Sequence, residues 1–187
     1  MRRADETITW KRQRIAVAGT SGAGKTTLCT ELEKITGFPR EELDGLYWGP
    51  DWTPRGTFDD DVECFTAQPR WIIELQYRAV RPLIASRADT VLWLDYATPL
   101  KMQRLIRRTL SRRIRGTELW NGNIEQPLSR IFTDRDHIIR WGWRTRNKLK
   151  PVIPTLEERF EGLTVVRLRS PRETKRWLQG LSDGMQQ

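Results

Sequence analysis

The chain has 187 residues, 37% of them hydrophobic and 30% charged, a composition that excludes a disordered or fibrous protein and fits one globular domain. Lysine and arginine outnumber the acidic residues by 33 to 24, and the net charge of +9 predicts a polyanionic partner. No stretch approaches the roughly 18 apolar residues of a membrane span, and the basic N-terminus leads into acidic residues instead of an apolar signal segment, so we expect a cytoplasmic protein without a membrane partner.

The chain starts with a polar segment and then turns apolar. Residues 1–12 are charged and lack periodicity, so we interpret them as a loose N-terminal extension. Residues 15–18 form a short apolar run that ends in glycine, which is typical of a buried parallel strand. A helix is predicted from about Lys25 and is ended by Gly37.

The next segment combines a short strand, a loop and the start of a helix. A strand is predicted at residues 42–44, and residues 47–56 are rich in Trp, Pro and Gly, as loops are. Thr57 is a candidate N-cap because three acidic residues follow it in the first turn, where the helix dipole favours them. We interpret this run as a helix N-terminus rather than a metal site; it consists of Asp59, Asp60 and Asp61.

Two clearer strands occupy residues 71–74 and 90–95, each an apolar run that closes on a carboxylate. A basic amphipathic helix is predicted over residues 99–114. A flexible loop rich in Gly and Asn follows over 116–127, and helical pattern resumes over 128–149.

The last predicted strand, residues 163–168, leads into a helix that has Pro171 in its first turn and ends near Gly180. Strands and helices that alternate in this way predict a parallel sheet covered by helices on both faces. We therefore expect one three-layer α/β/α domain with about five strands over residues 13–181, followed by a tail over 182–187.

A phosphate-binding loop lies between the first predicted strand and the first predicted helix. Its residues fit the P-loop pattern GxxxxGK[ST], in the strand-to-helix context that the pattern requires. The glycines let backbone N–H groups turn toward phosphate oxygens, and the helix adds its positive N-terminus. Lys25 is expected to reach the β- and γ-phosphates of ATP, and the Thr26 hydroxyl to ligate Mg²⁺. The predicted ATP-binding residues are Gly19, Thr20, Ser21, Gly22, Ala23, Gly24, Lys25, Thr26 and Thr27.

A P-loop enzyme also needs a carboxylate at the end of a neighbouring strand, to hold the metal ion or its water. Asp44, Glu74 and Asp95 each end a predicted strand, and each has the alternative role of capping the helix that follows. Asp44 could act as general base or as a second metal contact, or it could form only a structural turn. The residues alone leave open which of the three is the main acid on the metal side.

Two basic clusters lie in the region that follows the strand at 90–95. Phosphates of a nucleotide or of a nucleic acid would satisfy either cluster. Trp141 and Trp143 alternate with cations as in a single-strand binding platform, although packing of a lid helix also explains them and is the interpretation we prefer. The clusters are Lys101, Arg104, Arg107, Arg108, Arg112, Arg113 and Arg115, and then Arg140, Arg144, Arg146, Lys148 and Lys150.

Three reactive side chains lack the neighbours that their chemistry requires. Cys29 and Cys64 show neither metal-ligand spacing nor a disulfide framework, which suits packing residues in a reducing compartment. His137 is the single histidine, and without a paired nucleophile or ligand cluster we interpret it as structural.

The order of P-loop, strand-end acid and arginine-rich helix resembles the adenylate kinase-like family of small P-loop kinases. In that family a strand ends in D-G-x-P-R; Glu74 and Arg78 keep the spacing of the acid and the arginine, although Glu replaces Asp and the glycine is absent. The resemblance implies that Glu74 lies beside Mg²⁺ and that Arg78 binds the acceptor phosphate. It also implies a lid over about 104–146, in which Arg104 and Arg108, on one helix face, contact the base and the phosphates.

The chain is also similar, over residues 19–177, to the FlaR-type DNA topology modulation proteins, a branch described as adenylate kinase-like. Their pattern consists of the P-loop, L-D-x-L-Y-W, W-I-I-D-G-N-Y and a W-x-W-rich helical segment. Residues 43–48, 71–77 and 141–143 match it, with departures at 74–76. In similar small-molecule kinases the acid at the position of Asp44 orients the acceptor hydroxyl.

The resulting hypothesis is a kinase that uses Mg²⁺ and ATP and acts on an unidentified small acceptor. Its predicted catalytic residues are Lys25, Arg104, Arg108 and Asp44, its acceptor-binding residues Asp44 and Arg78, and its metal-binding residues Thr26 and Glu74. The alternative is an ATP-dependent switch that associates with nucleic acid and has no small acceptor; the FlaR-type resemblance and the net charge favour it. A third hypothesis, an interaction protein with a vestigial nucleotide site, is weakened by the intact P-loop.

Overall fold

Six parallel strands form the centre of the computed structural model, which describes residues 1–4, 6 and 12–185. The strands are β1 (Arg2–Arg3), β2 (Arg14–Gly19), β3 (Arg40–Glu41), β4 (Trp71–Glu74), β5 (Thr90–Leu94) and β6 (Thr164–Leu168). They lie side by side in the order β1-β6-β5-β2-β4-β3, and each neighbouring pair is parallel. This order places β2, which leads into the P-loop, near the middle of the sheet.

Helices connect the strands, as a parallel sheet requires. They are α1 (Lys25–Thr36), α2 (Leu43–Tyr47), α3 (Phe58–Thr66), α4 (Arg81–Arg87), α5 (Thr98–Arg115), α6 (Arg130–Thr133), α7 (Ile138–Arg144), α8 (Leu156–Arg159) and α9 (Pro171–Met185). Single 3₁₀ turns occur at Pro50–Trp52, Trp120–Gly122 and Ile153–Thr155. None of the helices within the described ranges is long and apolar enough to cross a membrane.

The two faces of the sheet bury two separate sets of side chains, because successive residues of a strand point to opposite faces. On one face, Ile15 and Val17 of β2 pack with residues of α1 and α9, such as Leu32 and Trp177. On the other face, Ala16 and Ala18 pack with residues that come from β4, α3, α4 and the segment before β6. Helices therefore cover both faces, as the alternation of elements predicts.

The register of the central strands brings the P-loop and Glu74 to one edge of the sheet. β2 ends at Gly19, which pairs with Leu94 of β5, while Val17 pairs with Glu74 at the end of β4. In an open parallel sheet, ligands bind at this carboxyl edge. The fold therefore places the candidate site at the ends of β2, β4 and β5.

Both ends of the described chain are more ordered than the sequence predicts. Arg2 and Arg3, which we expect in a loose extension, form the edge strand β1 and pair with Val166 and Arg167 of β6. Residues 5 and 7–11 of that extension lie outside the described residues. The last helix continues past Gly180 to Met185, so most of the predicted tail is helical.

The segment predicted as one helix over 128–149 consists of two short helices followed by turns. A side-chain bond separates α6 from α7, because Asp134 Oδ1 accepts from the N–H of Asp136 at 2.8 Å. Local bonds of this kind compete with the helical ladder. His137 then caps α7, and a second helix starts instead of the first one continuing.

The prediction of a short strand at residues 42–44 is wrong in its position. β3 covers only Arg40 and Glu41, and Asp44 lies in the first turn of α2. The buried side chain of Leu43 anchors this turn in the core. Asp44 consequently reaches the site from a helix and not from the end of a strand.

Candidate active site

The P-loop between β2 and α1 adopts the backbone that a phosphate cradle needs. Gly22 and Gly24 have φ angles of +78° and +96°, in the left-handed region that favours glycine. Gly24 is the N-cap of α1, and Lys25 is its first residue. The positive end of a 12-residue helix therefore points into the loop, where it would favour a phosphate group.

Glu74 is the common partner of the two P-loop side chains that carry the predicted chemistry. Thr26 Oγ1 donates a hydrogen bond to Glu74 Oε1 at 2.8 Å, and Lys25 Nζ lies 3.6 Å from Glu74 Oε2. Glu74 is only 4% exposed, and a buried carboxylate of this kind requires a paired cation. The three side chains thus form one connected group at the start of α1.

The donor set of this group fits a magnesium ion bound together with a nucleotide. Thr26 and Glu74 offer a hydroxyl and a carboxylate that already touch, and Mg²⁺ prefers such oxygen ligands. Among the described residues, there is no group of three or more His, Cys, Asp or Glu side chains that could hold a metal ion alone. Most of the remaining ligands would have to be phosphate oxygens and water, as is usual for Mg²⁺ in nucleotide sites.

Asp95, the third candidate for the metal-side acid, is engaged in an ion pair elsewhere. Its Oδ2 accepts from Arg167 Nε at 2.9 Å and also pairs with Nη2 of the same guanidinium. This ion pair, in which two guanidinium nitrogens share one carboxylate oxygen, links the end of β5 to β6. Of the three strand-end acids in the sequence, Glu74 is the one whose carboxylate contacts the P-loop side chains.

Asp44 is held by two donors from the segment that follows β4. Its Oδ1 accepts from Gln76 Nε2 at 2.6 Å and from the Tyr77 hydroxyl at 2.7 Å. Burial, and then the charge of Asp44, raise the pKa of Tyr77, so the phenol stays protonated and donates. The Tyr77 ring also stacks on Tyr47 of α2, with centroids 4.5 Å apart, which fixes its position.

Two arginines, Arg78 and Arg81, follow the segment that holds Asp44. Arg78 is exposed, whereas Arg81 is half-buried and donates from Nη2 to the Gln76 carbonyl at 3.1 Å. Its Nε is buried without a hydrogen-bond partner. Burial, and then the neighbouring Arg78, lower the pKa of Arg81. The sequence prediction named Arg78 alone; Arg81, three residues later, is the better anchored of the two.

The predicted lid arginines, Arg104 and Arg108, lie one turn apart on α5, and Arg104 approaches the P-loop. Arg104 lies over the Tyr96 ring at 5.6 Å from its centroid, and a Cβ atom on Gly24 would come within 3.6 Å of Arg104 Nη1. Arg108 is one turn further along α5. Desolvation by the surrounding protein, and then the positive charge of Arg112, lower the pKa of Arg108. The negative charges of Asp44 and Glu74 oppose this effect. Arg108 is thus within electrostatic reach of both cleft carboxylates.

Lys148 is a site residue that the sequence prediction did not single out. Desolvation, and then the positive charges of Lys25 and Arg81, lower its pKa, while Asp44 raises it. Lys148 is exposed, and its ammonium group lies 5.6 Å from the Trp141 ring centroid, within electrostatic reach of Lys25, Arg81 and Asp44. The signal was present, since Lys148 belongs to the second basic cluster, but nothing in its spacing distinguishes it from its neighbours.

Helices α5 and α7 pack directly against the P-loop. A Cβ atom on Gly22 would lie 2.2 Å from the Lys101 carbonyl, and one on Gly142 would lie 2.3 Å from Leu105 Cδ2 and 3.7 Å from Ser21 Cβ. The buried Lys101 donates from Nζ to the Arg146 carbonyl at 3.1 Å. The segments that carry Arg104, Arg108 and Lys148 therefore pack beside the loop that would hold the phosphates.

Our preferred interpretation requires Trp141 and Trp143 to be packed inside the protein, but both are exposed. They are 37% and 55% exposed, and cations cover parts of their rings. Arg146 lies 4.2 Å from the Trp143 centroid, and Arg144 lies 5.0 Å from that of Trp141. Exposed indoles with cations over their rings do not fit the packed lid helix that we prefer, and the alternative, a single-strand binding platform, stays a prediction.

His137 is a buried cap of α7 and is expected to make this helix sensitive to acid. The residue is 1% exposed, its Nδ1 accepts from the N–H of Ile139 at 3.4 Å, and its Nε2 has no partner among the described residues. Desolvation lowers the pKa of His137, opposed by Glu125 and Asp134. A group whose pKa is lower in the folded state binds protons preferentially in the unfolded state, so stability falls as the pH drops below about 6.5.

We therefore expect hydrogen exchange of the α7 amides, corrected for the intrinsic rate, to accelerate between pH 7 and pH 5. His137→Asn keeps a capping side chain that does not titrate in this range, and its α7 amides should show no such acceleration. Equal acid sensitivity in the wild type and the variant would contradict a role for His137 protonation.

Comparison with known proteins assigns the fold. No protein-family model matches the chain, and no curated protein matches its sequence. Among solved structures, a shikimate kinase from Acinetobacter baumannii is similar with a TM-score of 0.55 and 15% identity, over 94% of each chain. A gluconokinase from Sinorhizobium meliloti 1021 is similar with a TM-score of 0.52 and 16% identity, over 95% of this chain and 96% of the other. A sugar kinase from Janibacter sp. HTCC2649 is similar with a TM-score of 0.50 and 21% identity, over 91% of this chain and 95% of the other.

These structures match the architecture described above almost end to end. The predicted fold class is confirmed, with six strands in place of about five because β1 adds a strand at the edge. At identities of 15–21%, the likeness extends to the fold and not to a substrate. The chain therefore has the parallel α/β fold of the small P-loop kinases.

Proposed function

We propose that this protein is a Mg²⁺- and ATP-dependent kinase that transfers the γ-phosphoryl group to a hydroxyl of a small anionic acceptor. The observation that carries the proposal is that one cleft joins a phosphate site to a candidate base. Glu74 contacts Thr26 and Lys25 of the P-loop, and Gln76 and Tyr77, two and three residues after Glu74, donate to Asp44. Phosphoryl transfer depends mainly on such positioning and charge stabilisation.

At the phosphate end, the residues of this chain would bind and neutralise the triphosphate. Backbone N–H groups of the P-loop would hold the phosphate oxygens, and Lys25 would contact the β- and γ-phosphates. Thr26 and Glu74 would hold Mg²⁺, which when bound neutralises charge on the phosphoryl oxygens. Arg104 and Arg108 would close over the nucleotide and exclude water.

At the acceptor end, Asp44 would accept the proton of the attacking hydroxyl. The hydroxyl oxygen of the acceptor would bond to the γ-phosphorus while the bond from that phosphorus to the β,γ-bridging oxygen breaks and ADP leaves. Gln76 and Tyr77 hold the Asp44 carboxylate in a fixed orientation, so the other oxygen can face the acceptor. Arg78 and Arg81 would bind the anionic group of the acceptor, since guanidinium groups pair well with carboxylate or phosphate.

The finer classification is part of this proposal. The spacing of Glu74 and Arg78 and of Arg104 and Arg108 supports an adenylate kinase-like enzyme, and the match at residues 43–48 supports the FlaR-type branch. A lid over about 104–146 and a cytoplasmic location belong to the same proposal. The mixture of shikimate and sugar kinases among the similar structures agrees with a small acceptor.

The experiment that tests the proposal is Mg²⁺-dependent ADP release from ATP with a panel of acceptors. The panel contains gluconate, shikimate, nucleosides, AMP, small alcohols and short DNA, and the variants are Lys25→Ala and, as a matched control, the exposed Lys175→Ala. We expect one small acceptor to stimulate ADP release, and Lys25→Ala to reduce it by about 100-fold or more because a preorganised charge on the phosphates is lost. Lys175→Ala should retain the wild-type rate.

A second candidate function is an ATP-dependent switch that associates with nucleic acid. The observation in its favour is the exposed pair Trp141 and Trp143 with cations stacked on both rings. Stimulation by DNA alone, or tight ATP binding without turnover, would reject the kinase. Steeply salt-dependent DNA binding that survives Lys25→Ala would support the switch or the interaction protein with a vestigial nucleotide site.

A further inference from the structure

Two short loops of similar construction meet beside Asp44. We call residues 118–124, between α5 and α6, the lid loop, and residues 42–54 the acceptor segment. Each contains a 3₁₀ turn enclosed by an antiparallel bridge, Glu118 to Ile124 in one and Trp48 to Pro54 in the other. The two turns contact each other, although about 70 residues separate them in the sequence.

Asn123 forms the centre of this contact. The residue is 4% exposed, and its Nδ2 donates to the Gly49 carbonyl at 2.8 Å while its Oδ1 accepts from the N–H of Trp52 at 2.7 Å. Asn121 Nδ2 donates to the Trp48 carbonyl at 2.5 Å. Both amides use backbone groups of the acceptor segment, so the contact depends on the shape of that segment.

Trp120 extends the contact to the turn that carries Asp44. Its Nε1 donates to Glu42 Oε2 at 3.2 Å, and its ring lies on Gly45, where an added Cβ atom would come within 3.0 Å of Trp120 Cδ1. The indole therefore spans the residues on either side of Asp44 and covers α2 from outside.

The lid loop is also tied to the helix that carries the lid arginines. Arg112 Nη1 donates to Glu125 Oε1 at 3.4 Å, and Arg113 Nη1 to the Glu125 carbonyl at 3.3 Å. Glu125 directly follows the lid loop and is 8% exposed. The lid loop is therefore connected both to α5 and to the segment that carries Asp44.

From these contacts we infer that the lid loop is the outer wall of the acceptor site and that Trp120 and Asn123 limit the acceptor to a small molecule. The inference rests on the proposed function, since it assigns the size class of the substrate of that site. Polar groups in a buried contact are costly to leave unpaired, so the wall closes completely or opens as a unit. A polymer such as a DNA strand would have to hold this wall open, so we expect it not to serve as the acceptor.

Hydrogen exchange tests the wall without any acceptor. Asn123→Ala removes two bonds to the acceptor segment, and amide exchange at residues 48–53 as well as 118–124 should accelerate by about 10-fold or more. The exposed Asn147→Ala is the matched control and should leave both segments unchanged. Acceleration confined to 118–124 would overturn the inference, because the loop would then fold without supporting the acceptor segment.

A second variant addresses the same contact from the other side. Gly45→Ala adds a methyl group against Trp120 while it favours the α2 helix intrinsically. It should accelerate exchange at 118–124 without unfolding α2; unchanged exchange at 118–124 would count against the wall. Neither measurement requires turnover.

Activity then separates this inference from the proposed function. With an acceptor from the panel that stimulates the wild type, Asn123→Ala should raise the KM for that acceptor and increase ATP hydrolysis by water relative to transfer, each by about 10-fold. If no acceptor stimulates turnover, the kinase proposal fails while the exchange result still decides whether the wall exists. An unchanged KM and an unchanged ratio of hydrolysis to transfer would overturn the wall as a determinant of specificity.

Discussion

Replacement of Asp44 by asparagine is expected to lower kcat for phosphoryl transfer by about 100-fold to 10,000-fold, the usual contribution of a general base. The asparagine side-chain oxygen still accepts from Gln76 and Tyr77, as Asp44 Oδ1 does, so the surrounding structure should be retained. Steady-state kinetics with a stimulating acceptor, together with calorimetric titration of ATP, will measure the effect. The affinity for ATP should not change.

The exposed Asp59 in the first turn of α3 provides a matched control. Asp59→Asn makes the same chemical change outside the cleft and should leave kcat unaltered. If Asp44→Asn also retained the wild-type kcat, Asp44 would serve only to hold Gln76 and Tyr77, and the base would have to be sought elsewhere in the cleft.

Gly22→Ala is expected to reduce the free energy of unfolding by about 3 kcal/mol. Alanine is strained at a φ of +78°, which costs about 1 kcal/mol, and its Cβ atom would lie 2.2 Å from the Lys101 carbonyl. Because this neighbour is backbone, either the P-loop or α5 must shift, at a cost of about 1–3 kcal/mol. Guanidinium denaturation will measure the loss, and ATP affinity should fall because the phosphate cradle is displaced.

Gly37→Ala separates the strain of the positive φ angle from the contact with α5. Gly37 caps the C-terminal end of α1 with a φ of +69°, and an added Cβ atom would meet nothing within 4 Å. This variant should lose only about 1 kcal/mol and bind ATP normally. Equal losses for both variants would show that contact between Gly22 and α5 does not constrain the P-loop.

Local patterns in the sequence predict the elements that line the phosphate site. The run before Gly19, the motif that follows it and the apolar strands at 71–74 and 90–95 all appear where they are predicted. Each is determined by neighbours in the chain, through burial of an apolar run or the backbone freedom of glycine. The pairing of Val17 with Glu74 then follows from parallel packing, and it brings Glu74 to the P-loop.

The features that sequence reasoning missed depend on contacts between distant segments. Asp44 lies on a helix because the buried Leu43 anchors that turn in the core. The predicted helix over 128–149 is interrupted where Asp134 bonds to the backbone. Lys148 and Arg81 are distinguished from other cations only by what surrounds them in the cleft. The hydrogen bonds of Asn123 join two loops, and the composition of these loops indicates only that they are flexible.

The pairing of β1 with β6 constrains the order in which the sheet is completed. Arg2 aligns with Val166, so the partner strand emerges from the ribosome only after most of the chain has been synthesised. β1 can pair only after β6 has formed, and between these two steps the backbone of β6 is an open edge, which invites pairing with other chains. The first residues of the chain thus act last in folding, when they cover that edge with a short strand of two arginines, whose charge discourages further strand addition.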